Sequence, residues 1–364
     1  MKTLKNIFLT LAILFFNDCS AEQVSEGKKS IVILSIDGGG VRGIIPAIIL
    51  KNIENRLPAG HHLKDYFHIM SGTSTGALIC LMLNSNNKSN NNPYFMKDVI
   101  DLYKNISSDV FKSSFWYDIK SIKGLRSAKY DSSSLESYLL KYLGDSKLSD
   151  TPVNLIIPAF DLKKRYMKFF STKNSTKYEN EDYYLRDVAR ATTSAPTYFE
   201  AAYIKDISGS EEGIYVDGGV GVNNPTTSAI VHAIELYGRD NEIYVLSLGT
   251  GTSYSPADDN VEKLDLDIHG MGKLDWTSHI IDVLMDANTE VSHVHAMNVL
   301  GAKYYQRIQL ILNLDCMDLD NGSPENIEKL TKSANDFIES NEFLLNEIAT
   351  TLIRIKEKNN QAIH

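Results

Sequence analysis

The sequence predicts an α/β protein with a largely parallel sheet and helices on both faces. Two patterns carry this. Short, β-branched apolar runs alternate with longer stretches of helical spacing. The first two runs each end in a glycine-rich turn that passes into an apolar helix. The composition is that of a chain with a sizeable core: 364 residues, 43% hydrophobic and 23% charged.

Taken in order, Ile31 to Ile36 is short, β-branched and followed at once by glycines, so it reads as a buried strand. Gly38 to Gly43 forms a turn. Ile44 to Leu57 follows as a helix that tolerates Pro46 in its first turn. Phe67 to Ser71 is a second strand, Gly72 to Gly76 a tight turn, and Ala77 to Leu83 opens another apolar helix. The asparagine-rich stretch Asn84 to Asn92 is a solvated loop. Further strands are expected at Val153 to Phe160, Tyr166 to Ser171, Gly213 to Val216, Glu242 to Leu248 and Tyr304 to Leu310. The acidic stretch Asp315 to Gly322 fails calcium-loop spacing, because Gly322 is out of register with Asp318 and Asp320. It reads as a loop entering a helix capped by Ser323-Pro324-Glu325. Helical spacing continues from Leu344 to Ile355. With no internal repeat and no linker, a single domain is expected over residues 30–345, with a helical tail at 346–364.

Lys2 and Lys5 precede an apolar run, Ile7 to Phe16, that is too short to span a bilayer. Cys19-Ser20-Ala21 offers a small-residue cleavage site, so residues 1–21 read as a signal peptide and the chain as exported, extracellular or periplasmic. Acylation at Cys19 and an uncleaved anchor are the alternatives. The net charge of −9 argues against a nucleic-acid partner and gives no general attraction to anionic membranes. Of the three cysteines, Cys80 and Cys316 remain, and no CxxC occurs. Two buried thiols are expected, with one bridge as the alternative.

Three segments carry chemistry. Gly72-Thr73-Ser74-Thr75-Gly76 matches G-x-S-x-G between a strand and a helix, the setting of a nucleophile elbow. Asp37-Gly38-Gly39-Gly40-Val41-Arg42-Gly43 can converge backbone N–H groups on an oxyanion, each worth about 3 kcal/mol in acyl transfer. Asp217 stands at a strand end before Gly218 and Gly219, where partial burial would raise its basicity. Each segment has a rival. Gly38, Gly40 and Gly43 also fit a dinucleotide fingerprint, although the acidic residue at the right distance, Glu54, falls in a helix. A Ser-Asp-His order would suit a triad, with His232, His279, His293 and His295 following Asp217.

Together and in this order, the three segments resemble the patatin-like phospholipases, most closely the plant storage-type patatins. Ile33 to Leu50, Lys129-Tyr130-Asp131, Ala195 to Phe199 and Leu246 to Thr252 are similar as well, so the likeness covers about residues 30 to 345. The resemblance implies a three-layer α/β/α sandwich with a mostly parallel central sheet. It implies a dyad of Ser74 as nucleophile and Asp217 as general base, with no histidine. Gly38, Gly39 and Gly40, aided by Arg42, would form the oxyanion hole. The substrates would be phospholipids, galactolipids or acylglycerols at a membrane or micelle surface, with no cofactor and no metal. Asp109 to Lys129 mixes aromatic and basic residues, as a transient membrane-docking surface would. A lipid-binding or storage protein on the same scaffold is the alternative from another class.

Overall fold

The computed structural model describes residues 28–88, 91–110, 128–253 and 273–361. In chain order its first half holds β1 (Ser30–Ile36), α1 (Ile44–Glu54), β2 (Ile69–Gly72), α2 (Thr75–Leu83), α3 (Met96–Asp109), α4 (Ser132–Leu143), β3 (Asn154–Asp161), β4 (Tyr166–Ser171) and α5 (Thr172–Lys177). The second half holds α6 (Leu185–Thr192), β5 (Ala202–Lys205), β6 (Glu212–Asp217), α7 (Thr226–Tyr237), β7 (Glu242–Leu248), α8 (Lys273–Leu300), β8 (Tyr305–Ile308), α9 (Pro324–Ser340) and α10 (Glu342–Gln361).

The strands form one sheet in the order β5-β6-β3-β2-β1-β7-β8, with β4 on the other edge of β3. Strands β3, β2, β1, β7 and β8 run parallel. The antiparallel strands β4, β6 and β5 extend the sheet beyond β3. Every residue of β1 is buried, which is why its sequence is a continuous apolar run broken only by serines. Its alternation serves two cores. Val32, Leu34 and Ile36 pack with Ile45, Leu50 and Ile53 of α1 and with Leu345, Ile348 and Leu352 of α10. Ile31 and Ile33 pack on the opposite face with Ile69, Val245, Tyr305, Ala229, Ile230 and Ala233. Each large aliphatic side chain buried this way contributes about 1.5–3 kcal/mol. The result is a three-layer sandwich, as expected.

Strands β4 and β7 have the expected bounds. Helix α2 begins at Thr75, two residues earlier than expected, because the tight turn itself supplies its first turn. Helix α1 stops at Glu54 rather than Leu57. Strand β5 escaped the sequence reading, being a four-residue strand at the end of the sheet that is buried at only alternate positions. Nothing in the structure changes at residue 346, where a tail was expected. Helix α10 starts at Glu342 and buries Ile348, Ala349 and Leu352 in the main core. Ser323 caps α9 by accepting from Asn326 N–H, with Pro324 at the helix start. Cys80 and Cys316 are buried free thiols. No described helix is long and apolar enough to cross a membrane. The signal segment and residues 111–127 of the aromatic and basic stretch lie outside the described residues.

At the end of β1, Asp37 is buried and meets Arg307 of β8 in a two-pronged ion pair. Nη1 lies 2.9 Å from Oδ1 and Nη2 2.5 Å from Oδ2. Arg307 Nη1 also donates to Ser247 Oγ of β7 at 2.9 Å. One guanidinium therefore ties three parallel strands together where the glycine turn begins. Arg307→Met would leave the carboxylate buried without a counter-charge, at a cost of about 3–5 kcal/mol near neutral pH. Burial already raises the pKa of Asp37 against the lowering effect of Arg307, and without Arg307 it would rise further, so stability would be greatest below the usual carboxylate range and lost as pH rises. Thermal unfolding of this variant should show a deficit that narrows towards pH 4.

Candidate active site

Ser74 sits between β2 and α2 with φ 51° and ψ −118°. A residue with a Cβ is strained in that conformation by about 1–3 kcal/mol, and only surrounding contacts hold it. Ser74 N–H donates to Thr192 Oγ1 at 3.0 Å, and Thr192 Oγ1 donates to the Pro158 carbonyl at 2.7 Å. Thr73 Oγ1 donates to the Val222 carbonyl at 2.7 Å. Thr75 Oγ1 and the Tyr103 hydroxyl are 2.7 Å apart. The flanking glycines leave no space for a side chain. A Cβ on Gly76 would lie 2.3 Å from the Ile36 carbonyl oxygen, and one on Gly72 would lie 2.3 Å from Gly76 itself.

Asp217 ends β6, one strand beyond β3. Its N–H donates to the Ser194 carbonyl at 2.9 Å, and its Oδ1 accepts from Gly219 N–H at 2.7 Å. Burial pushes its pKa up to about 6, against the lowering effect of hydrogen bonds from the Ser74 side chain and from Gly219 N–H. Among the described residues no cation counters that burial, so the carboxylate is desolvated without a counter-charge.

The glycine turn lies beside them. Gly38 is close to Ser74: a Cβ added to Gly38 would be 3.5 Å from Ser74 Cβ. However, the N–H of Gly38 donates to the Asn223 carbonyl at 3.1 Å, so it is already engaged and does not serve as the free donor expected of it. The N–H groups of Gly39 and Gly40 have no such partner among the described residues. Gly40 has φ +57°, and a Cβ there would strike the Leu319 carbonyl. Arg42 is buried and points back into its own loop. Its Nε is 3.4 Å from the Gly39 carbonyl oxygen and its Nη1 is 3.4 Å from that of Gly251. It braces the turn from behind. The N–H of Thr75 opens α2 and so has no partner within the helix, which no motif in the sequence singles out.

Ser74, Thr75, Gly39, Gly40, Asp217 and Gly219 line a cleft of about 820 Å³, counting its open mouth. The rest of its wall is mostly apolar and includes Leu78, Ile106, Leu135, Phe199, Ile281 and Met285. No histidine lines it among the described residues. His232 is buried on α7 with Nδ1 3.6 Å from Glu235, His293 meets the Tyr305 hydroxyl at 3.2 Å, and His295 is exposed. The side chain of His279 lies outside the described residues. Glu54 accepts from Met96 N–H inside the helical layer, far from the strand-end position that a ribose would need. No three His, Cys, Asp or Glu side chains come together as a metal site among the described residues.

Residues 34–230 match the family model described as patatin-like phospholipase. The chain belongs to the patatin-like phospholipase family. Patatin-like protein 2 of Arabidopsis thaliana is 33% identical over 340 residues, covering 85% of this chain and 83% of that protein. Patatin-like protein 2 of Oryza sativa subsp. indica is 33% identical over 353 residues, covering 87% and 85%. A Solanum tuberosum relative named "Probable inactive patatin-3-Kuras 1" is 28% identical over 304 residues, covering 77% and 79%. Patatin-like membership supports lipid acyl hydrolase activity at the level of the family.

The raised pKa of Asp217 has a stability consequence. Its contribution to stability is fully present below the unfolded pKa and is lost as pH rises through about 6. Asp217→Asn removes that penalty while keeping an acceptor for Gly219. The variant should be more stable than the parent above pH 6, by up to about 3 kcal/mol, with no difference near pH 3. Urea unfolding at both pH values measures this. Gly76→Ala should lower the midpoint steeply or prevent folding, because its Cβ would meet backbone rather than a movable side chain.

Proposed function

We propose that this protein is a lipid acyl hydrolase of phospholipase A type, acting through a Ser74–Asp217 dyad and an acyl-enzyme. One observation carries the reading: Ser74, in a strained turn, and Asp217, a buried carboxylate whose pKa burial pushes up to about 6 and which feels the serine side chain, line the same largely apolar cleft. An ordinary aspartate is too weak a base for a serine hydroxyl, whereas one near 6 is matched to the task.

Ser74 Oγ attacks the acyl carbonyl carbon while its proton passes to Asp217. The charge that develops on the carbonyl oxygen is met by the N–H groups of Gly39, Gly40 and Thr75. The tetrahedral intermediate collapses, the ester C–O bond breaks, and Asp217 returns the proton to the departing alcohol. Water then attacks the acyl-serine with Asp217 again taking a proton, and the fatty acid leaves with Ser74 restored. Arg42 holds the Gly39 carbonyl and so keeps the glycine turn in place, without reaching the reacting oxygen. The apolar wall of the cleft fits an acyl chain. The polar end of the molecule would remain at the mouth, where the chain meets a membrane or micelle surface.

A non-catalytic, lipid-binding role is the second reading, favoured by the relative whose printed name calls it probably inactive. The contact between Ser74 and Asp217 speaks for catalysis in this chain. The deciding experiment is fatty-acid release from mixed phospholipid micelles. The parent should release acid, and Ser74→Ala and Asp217→Asn should each lose at least about a thousandfold in kcat. Variants that keep parental rates would refute the dyad. Because the base must be ionised, kcat/KM should rise with pH through about 6 and then level off.

A further inference from the structure

The turn that carries Asp217 is closed by a residue from another element. Asn288, on α8, accepts from Asn223 N–H through Oδ1 at 2.6 Å. Its Nδ2 donates to the Gly219 carbonyl at 3.0 Å and to the Leu284 carbonyl of its own helix at 2.7 Å. One side-chain amide thus bridges the two ends of the segment from Gly219 to Asn223. Only one orientation of the amide works. Reversed, its oxygen would face the Gly219 carbonyl and its NH2 would face the Asn223 N–H.

Both ends of this segment touch the reaction centre. Gly219 N–H bonds to Asp217 Oδ1, and the Asn223 carbonyl holds Gly38 N–H. The neighbouring residue on α8 adds a second tie, since Asn223 Nδ2 donates to Thr289 Oγ1 at 2.9 Å. The same helix forms part of the cleft wall. Ile281 and Met285 line the cleft one to two turns before Asn288. Met285 also packs on the base turn, for a Cβ added to Gly219 would meet its Cε at 3.5 Å.

We propose that Asn288 is a positioning residue for Asp217, and that through α8 it makes turnover depend on how fully the acyl chain fills the cleft. The bridge is made in the structure, and an acyl chain against Ile281 and Met285 holds α8 in the register in which Asn288 joins Gly219 to Asn223. The base turn is then held with its carboxylate on Ser74. Chain length is read in kcat as well as in KM. This inference rests on the hydrolase reading above.

The test uses short- and medium-chain p-nitrophenyl esters with the mature chain, determining kcat and KM separately. In the parent, kcat should rise with chain length. In Asn288→Leu, kcat for the medium-chain ester should fall on the order of a hundredfold, as a misplaced catalytic group does, with KM little changed. Its kcat should no longer depend on chain length. Asn288→Asp, which keeps the acceptor for Asn223 N–H and loses the donor to Gly219, should show an intermediate loss and covers the case in which the leucine variant does not fold. Met285→Ala should flatten the chain-length dependence without touching the bridge. A parental kcat in Asn288→Asp, or a loss confined to KM in Asn288→Leu, would overturn the proposal. Failure of the underlying reading looks different: Ser74→Ala and Asp217→Asn would then be as active as the parent.

Discussion

The contact on which the rest of the site depends is between backbones. Gly76, in the first turn of α2, lies against the carbonyl of Ile36 at the end of β1, with no space for a side chain between them. That approach folds the turn after β2 tightly enough to force Ser74 to a positive φ and to bring it beside the glycine turn that follows β1. The parallel pairing of β1 and β2, in register from Ile33 and Ile69 to Ile36 and Gly72, sets both turns at the same edge of the sheet. A wider residue at position 76 would separate Ser74 from the glycine turn.

Two buried aspartates at strand ends are treated in opposite ways. Asp37 is met by Arg307 in a two-pronged ion pair and has a structural task, joining β1 to β8 below the glycine turn. Asp217 is also buried, but among the described residues it is met by no cation and accepts from the N–H of Gly219. Burial without a cation is costly for a carboxylate, and the same cost makes it a stronger base. On the proposed reading this replaces the histidine of a triad: desolvation, rather than an intervening imidazole, brings the proton acceptor into range.

Much of this could be read from the chain. The strands β1 and β7 announced themselves as short β-branched runs, β2 and β4 as short apolar and aromatic ones, and Ser74, Asp217 and the glycine turn by residue types that need close backbone approach. What could not be read has physical causes. The role of Gly38 changed because its N–H is taken by Asn223, a partner 185 positions away in sequence that no local pattern reveals. Arg42 looked like an oxyanion donor because of its place in the motif, whereas its buried guanidinium turns back to the Gly39 and Gly251 carbonyls. Arg307 and Asn288 are ordinary residues of a strand and a helix. The only available signal for Arg307 was the charge of Asp37 after a wholly apolar strand, which calls for a partner once buried. Strand β5, with a Tyr and a Lys on its exposed positions, has too weak an alternation to be told from loop.

The most direct test of the central claim is covalent. The protein would be incubated with a lipophilic fluorophosphonate, digested, and the modified residue found by mass spectrometry at several pH values. A single adduct on Ser74 is expected, formed at a rate that rises as Asp217 ionises near pH 6. A folded protein that takes no label, or is labelled on another residue, would contradict it.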